Sequence, residues 1–257
     1  MKKVLTIAGS DSIGGAGIQA DIKTITMHKM YAMSVVTAIT AQNSCGVYGV
    51  IDTPSDFTAK QLDCVFEDIR PDAVKIGMIS TESNIVAVVD RLRFYNAQNI
   101  VIDPVIMATS GRKLLSEDSD LSKLFSLATL ITPNIPEAEF LSGMEIKNLD
   151  DAVNSGSFLQ KKYNVNVLIK GGHSKSKADD VLVSAENTYI ISGNTVETSN
   201  HHGTGCTLSS AIACNLANGD SLIKSIEKAK KYLEGALINS SCFDWDNAPL
   251  NHCYQIL

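Results

Sequence analysis

The chain has 257 residues, of which 44% are hydrophobic and 19% are charged. This composition is typical of a folded globular enzyme and excludes a disordered chain. The 22 basic and 28 acidic residues give a net charge of −6, which argues against a nucleic-acid partner and against binding to a membrane surface. No apolar run approaches the roughly 18 residues of a membrane span, and the first one ends in a Gly-Ser-Asp turn, so we expect a cytoplasmic protein.

The six cysteines lack the spacing of a zinc ribbon or a thioredoxin-type motif, because none of them form a C-x-x-C pair. They are Cys45, Cys64, Cys206, Cys214, Cys242 and Cys253. We expect free thiols, of which Cys206 alone lies in a chemically suggestive position.

Strand-like segments alternate with helix-like segments along the chain. The predicted strands cover residues 3–8, 34–40, 73–76, 100–103, 129–132, 166–170, 181–184, 188–191 and 195–198. The predicted helices cover residues 15–29, 55–69, 81–95, 136–141, 149–163, the segment that follows Cys206, and 221–240.

This order predicts an α/β fold in a single domain over residues 1–257. The central sheet should be mostly parallel, with helices on both faces and ligands at the carboxyl ends of its strands. The last three short strands predict a small late β-hairpin region, with a turn at Ser192-Gly193-Asn194.

Polar residues follow most of the predicted strands. They are Gly9-Ser10-Asp11, Thr40-Ala41-Gln42-Asn43, Gly77-Met78, Asp103-Pro104-Val105, Thr132-Pro133-Asn134 with Glu137, and Lys170-Gly171-Gly172-His173. Turns also favour Gly, Pro, Asn and Asp, but packing alone does not require such a cluster at one edge of a sheet. We therefore expect a ligand site there.

The segment His202-Gly203-Thr204-Gly205-Cys206-Thr207 runs into small and apolar residues at helical spacing. It predicts a tight turn at a helix N-terminus, where backbone N–H groups and the helix dipole bind an anion. We expect the dipole to lower the pKa of the Cys206 thiol. The alternative is a packing turn in which Cys206 is a small buried hydrophobe, and this stretch alone does not separate the two.

Two other glycine motifs are weaker. Residues 9–14 have the G-x-x-x-x-G spacing of a P-loop but lack the Lys and Ser/Thr that follow it. Residues 15–20 match G-x-G-x-x-A, yet the next strand ends in Gln42 rather than an acid that would hold a ribose. A flexible loop that lets its backbone approach a small ligand is the plainer interpretation.

Four polar side chains at strand ends are candidates for ligand binding. The amide of Gln42 offers an acceptor beside a donor, which matches the edge of an aminopyrimidine. Glu137 suits a hydrated Mg²⁺, Lys170 suits the charge of a polyphosphate, and Asp103 is a comparable candidate at the end of its strand. Each has a structural alternative: a loop amide, a first-turn acid, a snorkelling lysine and a turn aspartate.

Eight segments, in order along nearly the whole chain, form one pattern. They are AGSDSIGGAGIQADIKT (8–24), TAQN (40–43), KIGM (75–78), DPV (103–105), SGRKLL (110–115), TPNIPEAE (132–139), IKGGH (169–173) and HGTGCT (202–207). The set resembles the hydroxymethylpyrimidine/phosphomethylpyrimidine kinases of thiamine biosynthesis, which belong to the ribokinase-like superfamily.

The resemblance implies a ribokinase-like three-layer fold. It also implies ATP- and Mg²⁺-dependent phosphorylation of 4-amino-5-hydroxymethyl-2-methylpyrimidine, and then of its monophosphate. The implied site comprises Gly9, Asp21, Gln42, Met78 and Val105 near the pyrimidine, Asn134, Lys170 and Asp103 at ATP, Glu137 at the metal, and Gly203, Thr204, Gly205 and Cys206 at the transferred phosphoryl group. Cys206 replaces the Asp base of the sugar kinases, and Lys170 joins it as a catalytic candidate.

Two departures from the family pattern stand at Ile13, where a Ser is common, and in the tail from Asp246 to His252, which lacks the usual Gly-His-Gly-Pro segment. The alternative functions are a pyridoxal/pyridoxine kinase of the same superfamily and a catalytically silent nucleotide-binding regulatory protein.

We expect a homodimer. The composition of residues 9–17 and 107–111 makes these two segments the candidates for a lid over the site.

Overall fold

A computed structural model describes residues 1–107, 111, 113–171, 178–196, 198, 200, 202–243 and 248–256. Its strands are β1 Lys3–Ser10, β2 Tyr31–Asn43, β3 Gly46–Asp52, β4 Ala73–Ile76, β5 Ile100–Ile102, β6 Leu130–Ile131, β7 Asn166–Ile169, β8 Asp180–Val183 and β9 Thr188–Ile191. Its helices are α1 Gly17–Met27, α2 Ser55–Asp68, α3 Glu82–Phe94, α4 Ser122–Phe125, α5 Ile135–Ser142, α6 Leu149–Tyr163, α7 Thr204–Ala217 and α8 Leu222–Ile238.

The strands form one sheet in the order β3-β2-β1-β4-β5-β6-β7-β8-β9. The six strands from β2 to β7 run parallel, whereas β3 at one edge and β8 and β9 at the other are antiparallel to their neighbours. Antiparallel edge strands on a parallel sheet are common in α/β folds. The predicted mostly parallel α/β architecture is therefore confirmed.

Two apolar clusters cover the two faces of the sheet. Helices α2 to α6 pack on one face, with side chains such as Leu62 and Leu159, and α1, α7 and α8 pack on the other, with Ile212 among their buried residues. Neighbouring residues of one strand point to opposite clusters, as Val4 and Leu5 do, so both faces of β1 are apolar. This arrangement forms the three layers that the resemblance implied.

Several predicted elements differ from the structure. Strand β3 was not predicted, because its glycines weaken a strand pattern and its pairing with β2 is a long-range contact. The short α4 was also not predicted, and α1 begins at Gly17 rather than at residue 15. The late hairpin joins β8 and β9 and turns between Ser184 and Asn187, so the turn predicted at residues 192–194 is wrong.

Some predictions fall outside the described residues in part or in full. They are most of the lid candidate 107–111, Ser110 and Arg112 of the SGRKLL segment, Gly172 and His173 of IKGGH, Glu197 of the last predicted strand, and Asp246 and Asn247 of the tail. The described residues 195, 196 and 198 are not in a strand. No helix within the described part of the chain combines the length and hydropathy needed to cross a membrane.

Candidate active site

The predicted glycine turn lies at the N-terminus of the 14-residue helix α7. Gly203 has φ +87°, and a Cβ atom there would overlap the carbonyl oxygen of Gly15. At Gly205 a Cβ would lie 2.9 Å from Oδ2 of Asp103 and 3.2 Å from Nζ of Lys170. Glycine at these two positions therefore lets the helix N-terminus, with its positive dipole end, approach two neighbouring loops.

An acidic and basic cluster lies on one side of this turn. Nζ of Lys170 is 2.6 Å from Oδ1 of Asp103 and 4.0 Å from Oε2 of Glu137, and all three side chains are at most 13% exposed. Asn134 pairs with Lys170 in a parallel β-bridge, which joins the ends of β6 and β7. Asp103, Glu137 and Lys170 were separate candidates in the sequence, and the fold brings them together.

Asn134 and Glu137 also form the start of α5. The Asn134 side chain accepts the Glu137 N–H at 2.8 Å, and Glu137 Oε2 accepts the Asn134 N–H at 2.8 Å, so the two residues form a capping box. The structural alternative for Glu137 is thus realised, and the N–H of Ile106 also donates a hydrogen bond to its carboxylate. Burial raises the pKa of Glu137 to about 7; Lys170 opposes this rise and Asp103 adds to it.

Lys170 remains a cation in this cluster. Burial disfavours its charged form, but the carboxylates of Asp103 and Glu137 raise its pKa above the ordinary value. Within the described residues, no three His, Cys, Asp or Glu side chains converge as a metal-binding group. A single carboxylate fits Mg²⁺, which keeps several waters and takes further ligands from phosphate oxygens.

Of the five residues expected near the pyrimidine, Gln42 contacts the turn at His202, whereas Gly9, Met78 and Val105 lie at or just beyond the ends of β1, β4 and β5. The backbone at Gly9 approaches Met78, since a Cβ on Gly9 would lie 3.2 Å from the Met78 sulfur. Gln42 is half-buried at the end of β2; its Oε1 accepts from Thr40 at 3.3 Å and its Nε2 lies 3.3 Å from Nε2 of His202. Val105 follows Asp103 in a tight turn at the end of β5, with its N–H donated to the Asp103 carbonyl at 2.8 Å.

Asp21, the fifth of these residues, lies beneath the site rather than on its surface. Its side chain has no exposed area, and Lys75 Nζ lies 2.8 Å from both of its oxygens. Helix α1 carries Asp21 into the protein interior, where its carboxylate pairs with Lys75, and its expected position near the pyrimidine stays a prediction. Lys75 itself was missed as a functional residue, although a lysine inside the apolar strand Ala-Val-Lys-Ile is rare unless it is paired.

An aspartate that sequence reasoning treated only as part of a turn organises the loop after β1. The Asp11 carboxylate accepts the N–H groups of Ile13, Gly15 and Ala16 at 2.8–3.1 Å and lies 2.8 Å from Nε2 of His202. Burial opposes the ionised form, but these bonds lower the pKa of Asp11 below its ordinary value. The substrate-side loop and the turn at Gly203 are thereby held together.

The prediction of a lowered pKa for Cys206 is wrong. Burial raises the pKa of this thiol to about 11, and the carboxylates of Asp21 and Asp103 add to the effect. Lys75 and the backbone N–H of Gly17 act in the opposite direction but do not overcome it. Desolvation of the buried thiolate is the largest cause of this rise in pKa, and the sequence contains no direct measure of burial.

The chain matches the family model described as phosphomethylpyrimidine kinase over residues 11–251. It belongs to this family. The protein is therefore a phosphotransferase with a ribokinase-like fold, as the eight segments implied.

Relatives of known name support the same assignment. The hydroxymethylpyrimidine/phosphomethylpyrimidine kinase of Bacillus subtilis is 40% identical over 255 residues, which cover 97% of this chain and 94% of that protein. The enzyme of the same name from Rhizobium meliloti is 44% identical over 91% of this chain and 89% of that protein. The chain spans about half (52%) of the bifunctional thiamine biosynthesis protein ThiED of Geobacter sulfurreducens, to which it is 43% identical over 97% of its own length.

Solved structures of two kinds are similar to this fold. The phosphomethylpyrimidine kinase of Clostridium difficile 630 has a TM-score of 0.80 and 44% identity, with 91% of this chain and 98% of that chain covered. An ADP complex of Bacillus subtilis pyridoxal kinase has a TM-score of 0.91 and 35% identity, with 100% and 99% covered. Kinase function thus follows from the family, whereas the choice between a pyrimidine and pyridoxal depends on the site.

Proposed function

We propose that the protein transfers the γ-phosphoryl group of ATP to the hydroxymethyl group of 4-amino-5-hydroxymethyl-2-methylpyrimidine, and then to the monophosphate formed, as a step of thiamine biosynthesis. One observation carries the proposal. Two residues of a single turn, three positions apart, lie against both halves of the site: His202 contacts Gln42 and Asp11, and Gly205 approaches Asp103 and Lys170. A phosphoryl group at this turn would lie between an aminopyrimidine edge and a polyphosphate-binding cluster.

On the nucleotide side, Lys170 offsets the charge of the phosphates, with Asp103 holding its ammonium in place and Asn134 at the adjoining strand end. Glu137 would hold Mg²⁺, which when bound neutralises phosphate charge. The backbone N–H groups of Gly203, Thr204, Gly205 and Cys206 would stabilise the transferred group, whose charge spreads over its equatorial oxygens. Catalysis of this kind depends on positioning and electrostatics more than on covalent chemistry.

On the substrate side, Gln42 distinguishes the two candidate substrates. Its carbonyl oxygen would accept the exocyclic amine of the aminopyrimidine, and its NH2 group would donate to a ring nitrogen. Pyridoxal has no exocyclic amine, so the same amide would leave its acceptor unpaired. Pyridoxal kinase activity is the second candidate, and the likeness to the Bacillus subtilis pyridoxal kinase favours testing it.

A coupled assay of ADP release tests the proposal. We expect turnover with the hydroxymethylpyrimidine and with its monophosphate, and slower turnover with pyridoxal. Faster turnover with pyridoxal would favour the second candidate. Nucleotide binding without turnover of any of the three compounds would favour the catalytically silent regulatory protein and contradict our proposal.

The role of Cys206 differs between the two transfers. In the first, Cys206 accepts the hydroxymethyl proton through the small fraction of thiolate that a pKa of about 11 allows, or stabilises it by hydrogen bonding. In the second, the attacking group is a phosphate with a second pKa of about 6, which needs no base. A carboxylate about 4 Å away would repel that dianion by about 1 kcal/mol in water and by several times that at a lower effective dielectric constant, whereas a thiol with its pKa raised to about 11 stays neutral.

Replacement of Cys206 by aspartate tests this reasoning, since aspartate is a permanent anion at neutral pH. We expect Cys206→Asp to impair the second transfer more than the first when the two half-reactions are measured separately. The buried Cys214, about two turns beyond Cys206 in the same helix, provides Cys214→Ser as a control for altered thiol content. An equal loss in both transfers, or a larger loss in the first, would contradict the explanation.

We further propose that the protein is a cytoplasmic homodimer that binds no nucleic acid. The edge formed by β2 and β3 supports a dimer, because Ile39 and Ile51 are paired across the two strands and are 59% and 73% exposed. Light scattering after chromatography tests it: Ile51→Asp should yield monomers, whereas Phe94→Asp, at an equally exposed position on α3, should not. A monomeric wild-type protein would contradict the proposed dimer.

A further inference from the structure

A fully buried ion pair lies beneath the catalytic turn. Lys75 of β4 and Asp21 of α1 have no exposed side-chain area, and Nζ lies 2.8 Å from each carboxylate oxygen. The carboxylate also accepts the hydroxyl of Thr6 of β1 at 2.6 Å and that of Ser210 of α7 at 2.8 Å. The pair is therefore joined to four elements that meet at the active site.

The position of this pair relates it to Cys206. Ser210 follows Cys206 by four residues in α7, so the two side chains lie on one face of the helix, one turn apart. At the strand end, a Cβ added to Gly77 would lie 2.8 Å from Nζ of Lys75, which locates the ammonium close to the carboxyl edge of β4. The charged groups of the pair thus lie close to the first turn of α7, which carries the Cys206 thiol.

The ammonium of Lys75 has more donors than the pair uses. It carries three N–H groups, and its hydrogen bonds to described residues go only to the two oxygens of Asp21. A buried ion pair is weak evidence for stability, because desolvation offsets its Coulomb attraction. A spare donor on a fully buried cation therefore indicates a function beyond holding the fold together.

We propose that Lys75 and Asp21 form an electrostatic support for Cys206, in which Lys75 stabilises the thiolate and Asp21 limits that effect. This inference rests on the proposed role of Cys206. Lys75 is a positioning residue: the hydroxymethyl oxygen attacks phosphorus, its proton passes to the Cys206 thiolate, and the bond from phosphorus to the bridging oxygen breaks with its electron pair leaving on ADP. Lys75 would hold the thiolate that receives the proton.

The charged groups that act on Cys206 agree with this arrangement. Lys75 lowers the pKa of the thiol, and Asp21 raises it together with Asp103 at the end of β5. Lys170 at the end of β7 also interacts electrostatically with the thiolate, since Cys206 is among the groups that raise the pKa of this lysine. From the start of α1, the N–H of Gly17 lowers the pKa of Cys206 through a hydrogen bond.

Two substitutions with opposite expected signs test the proposal. The measurement is the rate of alkylation of Cys206 by iodoacetamide between pH 7 and pH 10 in the free enzyme, resolved by mass spectrometry. Lys75→Met should slow alkylation at pH 8 by about tenfold, equivalent to a rise of one pH unit in the thiol profile, and Asp21→Asn should accelerate it by a similar factor. The exposed Cys64 serves as the internal reference, and its rate should not change.

Both substitutions break the same ion pair, so a purely structural role would move the two rates in the same direction. Shifts of the same sign, or rates within twofold of wild type in both variants, would overturn the proposal. If Lys75→Met fails to fold, Lys75→Arg should retain the wild-type profile and Asp21→Asn should still accelerate alkylation; an unchanged or slower rate in Asp21→Asn would then overturn it. No substrate is present, so the outcome is independent of the ADP-release assay that tests the function.

Discussion

Replacement of Gly203 by alanine perturbs the anion-binding turn at one defined point. The residue has φ +87° and begins helix α7, and an added Cβ would overlap the carbonyl oxygen of Gly15. Gly15 belongs to the loop that Asp11 organises, and this loop adjoins Gln42 through His202. The substitution therefore changes the spacing between the anion-binding turn and the substrate-side loop.

Gly203→Ala is expected to lower both the stability of the protein and its catalytic rate, and the two effects are estimated separately. Holding an alanine in the left-handed region costs about 1–2 kcal/mol, and the smaller entropy of the unfolded chain offsets about 0.4–1 kcal/mol of this. Relief of the overlap requires the turn or the loop to move, and a displacement of about 1 Å lowers a rate by about 10²-fold. Loss of one donor to the transferred group has a similar effect of about 10²- to 10³-fold.

Gly219 provides a matched control at the other end of the same helix. It has φ +86°, and a Cβ there would have no heavy atom within 4 Å. Gly219→Ala should therefore carry the backbone strain alone and lower the melting temperature by about 2–4 °C for each kcal/mol. Its kcat should stay near wild type, whereas Gly203→Ala should lose about 10²-fold in kcat with its fold intact by circular dichroism.

Steady-state kinetics for both phosphoryl transfers, together with thermal melts, check this prediction. The reasoning would be refuted if Gly203→Ala retained kcat within about threefold of wild type. It would also be refuted if Gly219→Ala lost as much activity as Gly203→Ala, because the loss would then come from strain in α7 rather than from the contact with the loop at Gly15.

Three further predictions concern the metal and the pH dependence of stability. Glu137→Gln keeps the capping box but removes the charge, so Mg²⁺-dependent kcat/KM should fall at least tenfold, while exposed Glu117→Gln should have no effect. Because the pKa of Glu137 is raised to about 7, its ionisation destabilises the folded protein as pH rises from 4.5 through 7. Glu137→Gln should therefore be at least as stable as wild type at pH 8. A marked loss of stability at that pH would count against this prediction. His252 is buried and has its pKa lowered to about 4, so the unfolded chain binds its proton first and stability should fall by about 1 kcal/mol between pH 7.5 and pH 5.5. Urea unfolding of His252→Gln should lack this part of the pH dependence, and an unchanged dependence would contradict the assignment.

Local sequence patterns predicted most of the elements correctly. Continuous apolar runs such as the strand Lys3–Ser10 and amphipathic segments such as Glu82–Phe94 identify themselves by periodicity, because each buried face repeats with the period of its own backbone. Strand β3 was missed because its stability depends on pairing with β2 and on an edge position, which no short window of sequence contains. The short helix Ser122–Phe125 is less than two turns long and has too few residues to establish a period.

For the candidate site too, the sequence predicted some features and missed others. The sequence identified Gln42, Glu137 and Lys170 because polar residues that follow buried strands must meet at one edge of a parallel sheet. It identified the turn at Gly203 because two glycines before a helix have few other uses. It did not identify the partners of these residues: the contact of Lys170 with Asp103, or that of His202 with Asp11, joins positions 67 and 191 residues apart.

The sequence by itself determined the fold class, the family and the types of residue at the active-site edge, since these follow from short-range order and from motifs. Only the tertiary structure decided that Asp21 lies beneath the site with Lys75, and that the pKa of Cys206 is raised rather than lowered. Both depend on how much water and charge surround a group in three dimensions. Desolvation arises from all the elements packed around an atom, and the residues next to it in the chain contribute only part of that environment.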